Sequence, residues 1–205
     1  MEQEKTSIDI LKEFAKRTGR NVEFSTKNHD YTIMHPVRYH QRSLYIPNNP
    51  DQTSFFICYG DSGAPSNIGE SVLYSGVFIP VDLPGDSIIK IRKKDILDKL
   101  NIFKKKKYLK SGFENFDAQT TIRGNDSLSA QKIAKSRKVQ ENILEAFNLD
   151  ESLSIGLNTV NASFVPRLKD RSLFGIYTLN GWILEEKKIE KLFEVMENIR
   201  IAYNT

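Results

Sequence analysis

Two spacings of apolar residues alternate along the chain. Ile8, Leu11, Phe14 and Ala15 recur every three or four residues, which predicts an amphipathic helix over residues 7–18, stopped by Gly19. Strand-like runs follow at 21–26, 31–34, 41–46, 53–59, 71–81 and 87–91. Each is rich in Val, Ile, Tyr, Phe or Thr, and most are bounded by Asn, Asp, Gly or Pro. Phe55-Phe56-Ile57-Cys58 is apolar on both parities, so it predicts a central strand covered on both faces. Residues 94–100 predict a short helix with Ile96, Leu97 and Leu100 facing inward.

Beyond residue 113 the pattern predicts a strand over 116–123, then the turn Gly124-Asn125-Asp126. A long helix capped by Ser127 or Ser129 should run to Phe147. Strands are expected at 152–158 and 173–179, with a further run at 162–168. Asn180-Gly181 signals a type I′ hairpin pairing 175–179 with 182–184. Ile189, Leu192, Phe193, Met196, Ile199 and Tyr203 form one apolar stripe, which predicts a closing helix over 185–203. Strands clustered between helices argue for an α+β fold with largely antiparallel sheets flanked by helices and a long C-terminal helix. The expected organisation is two packed lobes, residues 1–102 and 113–205, joined by a basic connector at 103–112.

Several of these features carry a resemblance. Phe116-Asp117, Gly124-Asn125-Asp126 before a helix, a Leu-Ser-Ile strand, Ser172-Leu173-Phe174 and the striped final helix are similar to the soluble C-terminal domain of a group of uncharacterised bacterial proteins. Those proteins place the domain after a pair of transmembrane helices. The resemblance covers residues 113–203 and implies a bacterial source and a membrane-proximal role. The group has no assigned activity, so no site residues carry over from it.

Composition narrows the classes. Apolar residues make up 39% and charged residues 27% of the 205, a globular balance. Cys58 is the single cysteine, so no intramolecular disulfide forms. The first twenty residues hold no apolar signal core, and no run approaches a membrane span. A cytoplasmic location is the expectation, with no transmembrane segment and no cofactor implied.

Charge is uneven. Residues 90–110 hold ten Lys or Arg against two Asp, an excess of +8, while 20 basic and 24 acidic residues leave the rest at −4. Lys90, Arg92, Lys93, Lys94, Lys104, Lys105, Lys106, Lys107 and Lys110 are candidate anion-binding residues, and Phe103 and Tyr108 are candidate stacking residues. Lysines interleaved with rings suit single-stranded nucleic acid, because cations track phosphates while aromatics stack on bases. The same run suits an anionic membrane surface or an acidic protein partner. A solvated linker is the plainer use of such a run.

Catalytic motifs are weaker. Gly60-Asp61-Ser62-Gly63-Ala64-Pro65 resembles the segment around the nucleophilic serine of chymotrypsin-like proteases. Only 61 residues precede Ser62, too few for the barrel that carries His and Asp in that fold, so a polar turn after a central strand is expected. His29, His35 and His40, with Asp30, are a candidate metal set supporting a hydrolase alternative. Their spacings of six and five are not the four that puts two ligands on one helical face. Cys58 lies among Phe56, Ile57 and Tyr59 and reads as a small buried hydrophobe. No phosphate-binding glycine loop and no HExxH occurs. The sequence therefore points first to a non-catalytic binding or interaction module.

Overall fold

A computed structural model describes residues 6–29, 39–62, 73–94 and 108–204. The helix predicted over 94–100 and the strand predicted over 31–34 fall in or largely in the remainder, outside the described residues. The element order is α1 (Ser7–Arg17), β1 (Glu23–His29), β2 (Tyr39–Pro47), β3 (Phe55–Ser62), β4 (Tyr74–Val81), β5 (Ile89–Lys93), α2 (Glu114–Gln119), β6 (Thr120–Gly124), α3 (Ser127–Ile133), α4 (Arg137–Leu149), β7 (Ser154–Leu157), β8 (Ser172–Thr178) and α5 (Glu186–Tyr203). The strands form one sheet in the order β1-β2-β3-β4-β8-β7-β5-β6. The β1–β2, β2–β3, β5–β6 and β5–β7 pairings are antiparallel. The fold is α+β.

The chain forms two compact units. One comprises Met1–Val77 with Tyr177–Phe193. Here Thr6 caps α1 through a reciprocal box with Asp9, and Leu11, Phe14 and Ala15 are buried. Phe55, Phe56, Ile57 and Cys58 are at most 1% exposed, as an interior strand requires. Arg20 donates to the Asn48 Oδ1 at 2.9 Å and to Glu190 at 2.8 Å, and its guanidinium lies over the Phe193 ring.

The other unit comprises Phe78–Ile176 with Glu194–Thr205. Ile89, Ile91, Ile122, Ile155 and Leu157 are at most 1% exposed and supply its sheet core, with Ile143 and Phe147 of α4 and Met196 and Ile199 of α5 also buried. Gly175 carries no side chain because the Phe78 ring fills the space a Cβ would take. Asn158, at φ 51°, accepts from the Leu173 N–H at 2.9 Å and donates to the Ser87 carbonyl at 3.0 Å.

Four local expectations change. The strand expected over 116–123 begins as α2, and only Thr120–Gly124 is extended. Phe116 is buried while Glu114, Asn115, Ala118 and Gln119 are exposed, which is one helical contact face and no alternation. The long helix divides into α3 and α4 after Ala134, and its cap is Asp126, which accepts from the Leu128 and Ser129 N–H groups. Gln140 Nε2 donates to the Ala134 carbonyl at 2.7 Å, satisfying a group freed by the break. Residues 162–168 are successive tight turns, because Ala162, Val165 and Leu168 are buried at a spacing of three. Residues 182–184 form no strand. Only Gly181 of the Asn180-Gly181 pair takes positive φ, and the buried Ser75 hydroxyl takes over the backbone there. It donates to the Gly181 carbonyl at 2.9 Å and accepts from the Ile183 N–H at 2.8 Å.

Candidate anion-binding face

The site grows from the alternation of β5. Ile89 and Ile91 are buried, whereas Lys90 and Arg92, which alternate with them, are half-buried. Register decides what joins each set, since residues directly opposite one another share a sheet face. Ile91 lies opposite Ile122 and Ile155, which closes the apolar face. Lys90 lies opposite Arg123 on one side and Gly156 on the other, and Arg92 lies opposite Thr121.

Leu109 adds one more rung. It bridges to Ile122, with its N–H donating to the Ile122 carbonyl at 2.9 Å. Tyr108 and Lys110 flank that single rung. Arg123 Nη2 donates to the Tyr108 hydroxyl at 3.2 Å, and the guanidinium sits 5.1 Å from the ring centroid. Lys90, Arg92 and Arg123 therefore share one face, with Tyr108 held against Arg123.

The polar groups beneath these cations are poorly satisfied. Thr121 is 1% exposed, and its hydroxyl has no hydrogen-bond partner among the described residues. The same holds for the buried Thr159 hydroxyl. Thr159 occupies the space over Gly156, on the Lys90 rung, where a Cβ would come within 2.8 Å of its Oγ1. A buried unpaired hydroxyl costs about 1–3 kcal/mol.

The remaining sequence-predicted residues distribute as follows. Lys93 pairs with Glu151 at 2.5 Å, and Lys94 Nζ donates to the Asp117 carbonyl, so both are engaged within the fold. Phe103, Lys104, Lys105, Lys106 and Lys107 lie outside the described residues. Arg123 was missed by sequence reasoning. It precedes a turn and belongs to no charge run, and only the β5–β6 register brings it beside Lys90.

His35 also lies outside the described residues. The β1–β2 ladder sets His29 opposite Tyr39 and His40 opposite Asn28, on neighbouring rungs. Among the described residues no group of three or more His, Cys, Asp or Glu could hold a metal ion. Gly63-Ala64-Pro65 of the expected turn lie outside the described residues, and Gly60-Asp61-Ser62 is extended. It is the end of β3, paired through Ser62 with His40, because the ladder with β2 continues that far. Cys58 is fully buried, and burial pushes its thiol well above the ordinary range, so it keeps its proton at neutral pH. Among the described residues no helix is long and apolar enough to cross a membrane. No protein family, no curated protein and no solved structure matches this chain.

Proposed function

We propose that this chain is a non-catalytic binding module that takes single-stranded nucleic acid across the face built by β5, β6 and residues 108–110. One observation carries the reading: Lys90, Arg92 and Arg123 share a sheet face, with a tyrosine ring held against the last of them. Cations on adjacent strands follow a phosphate backbone, and a ring among them offers a stacking surface with no sequence preference. Lys104, Lys105, Lys106 and Lys107 belong to the same run of chain and would extend the positive field, and Phe103 would add a second ring for stacking. A cytoplasmic location belongs to the same proposal, since a nucleic-acid ligand would be met there.

The test is anisotropy of a labelled oligothymidylate over a salt series. With four phosphates neutralised, affinity should fall about fifty-fold between 50 and 200 mM salt, from a slope of about −0.7 per contact. Changing Lys90, Arg92, Lys110 and Arg123 together to Gln should abolish binding. Retained binding in that variant, or affinity indifferent to salt, would sink the proposal. Preference for vesicles of anionic lipid over the oligonucleotide would replace it with a membrane-surface reading.

A further inference from the structure

We infer that the cleft between the α3–α4 break and the end of α5 is a binding site for a small organic phosphate. The cleft lies wholly within the second unit and has a volume of about 570 Å³, inside the roughly 300–1,000 Å³ range of small-molecule sites. None of its lining residues belongs to the sheet face described above.

Its charge is one-sided. Lys132, Lys135, Arg137 and Lys138 line it, and no Asp or Glu does. Arg137 is taken by Glu141 at 2.9 Å. Lys132, Lys135 and Lys138 make no ion pair among the described residues. A solvated helix surface usually intersperses both signs, which relieves repulsion between neighbours. Three unpaired lysines within seven residues repel one another until an anion arrives. Lysine is a point-charge phosphate binder, and three of them exceed what a single carboxylate would neutralise.

The floor is apolar, so the anion should carry a carbon body. Ile133, Val139 and Ala202 form buried lining, while Ile201 is 58% exposed against the same space. Polar anchors are present as well. Asn142 Nδ2 is used by the Lys138 carbonyl at 2.7 Å, which leaves its Oδ1 as an acceptor. Burial, and then the Asp82 carboxylate, raise the Tyr203 phenol, so it remains a donor. The cavity and its lysines carry the inference. The start of α4, where the Ser136 side chain makes no cap bond, only adds to the positive field.

Calorimetric titration of the full chain with inorganic phosphate, phenyl phosphate and phenol tests the site. Phenyl phosphate should bind one per chain, about tenfold more tightly than inorganic phosphate, because the ring is removed from water. Phenol alone should not bind measurably. Changing Lys132, Lys135 and Lys138 together to Gln should abolish binding, and these exposed positions leave the fold intact. Ile201→Ser should erase the preference for phenyl phosphate over inorganic phosphate. Absence of binding at millimolar ligand, binding that survives the triple change, or equal affinity for the two phosphates in the unaltered chain overturns the inference. The Gln variant of the sheet face must still bind phenyl phosphate; loss there would equally overturn a separate site.

Discussion

Strands β3 and β5 are built from the same two-residue repeat and end in opposite conditions. In β3 both parities are apolar, Phe55 to Cys58, and all four side chains are buried. In β5 only one parity is apolar, and the other presents Lys90 and Arg92. Every side chain in the core of β3 is committed to packing. On β5 the alternate side chains, Lys90 and Arg92, are half-buried and carry their charge on the opposite face from the core. Alternation thus puts charge on a sheet face, where a ligand can meet it, whereas a strand buried on both parities offers none.

The sharpest way to break this comparison is to truncate both strands. Phe56→Ala should lower unfolding free energy by about 3–5 kcal/mol, read by chemical denaturation, through lost burial and the cavity it leaves. A loss below about 1 kcal/mol would mean β3 is not the committed strand. Gly175→Ala should come next, at about 1–3 kcal/mol, since the new methyl meets the Phe78 ring.

A pH titration sharpens the picture at the turn beside β6. Hydrogen bonds from Ser129 and Ser87 hold the Asp126 carboxyl down to about 2, below the ordinary 3.8. Its folded pKa is depressed, so its contribution is complete above pH 4 and is lost as pH falls through 2. Asp126→Asn should flatten the stability profile between those values in acid unfolding. An unchanged profile would remove Asp126 from the account. The smallest effect on stability is expected at Lys90→Gln with Arg92→Gln, within about 0.5 kcal/mol for each change, while oligonucleotide affinity falls. Comparable losses of stability and affinity would mean that these residues serve the fold.

Legibility followed the same division. Helices α1 and α5 and strand β3 were plain in the sequence because each buries its own repeating residues. Residues 162–168 were misleading, since Val and Leu suggested a strand and only the three-residue spacing of the buried side chains marks turns. Asn180-Gly181 misled for a different reason. The backbone it was expected to pair is held by Ser75, a residue remote in sequence. Within the candidate face, Lys90, Arg92 and Tyr108 stood out as part of a charge run, but Arg123 did not, because its place depends on register. The lysine cleft was not legible either, since its floor joins the end of α5 to residues far earlier in the chain.

The sequence by itself determined the α+β class, the buried middle strand, the terminal helices and the basic run between residues 90 and 110. Each of these is a local property, written in spacing or composition and satisfied wherever the neighbours come from. Only the tertiary structure decided that β5 pairs with both β6 and β7, that Arg123 joins Lys90, and that three lysines surround an apolar floor. Those outcomes depend on which remote backbone groups and apolar faces complete one another, and no local pattern carries that information.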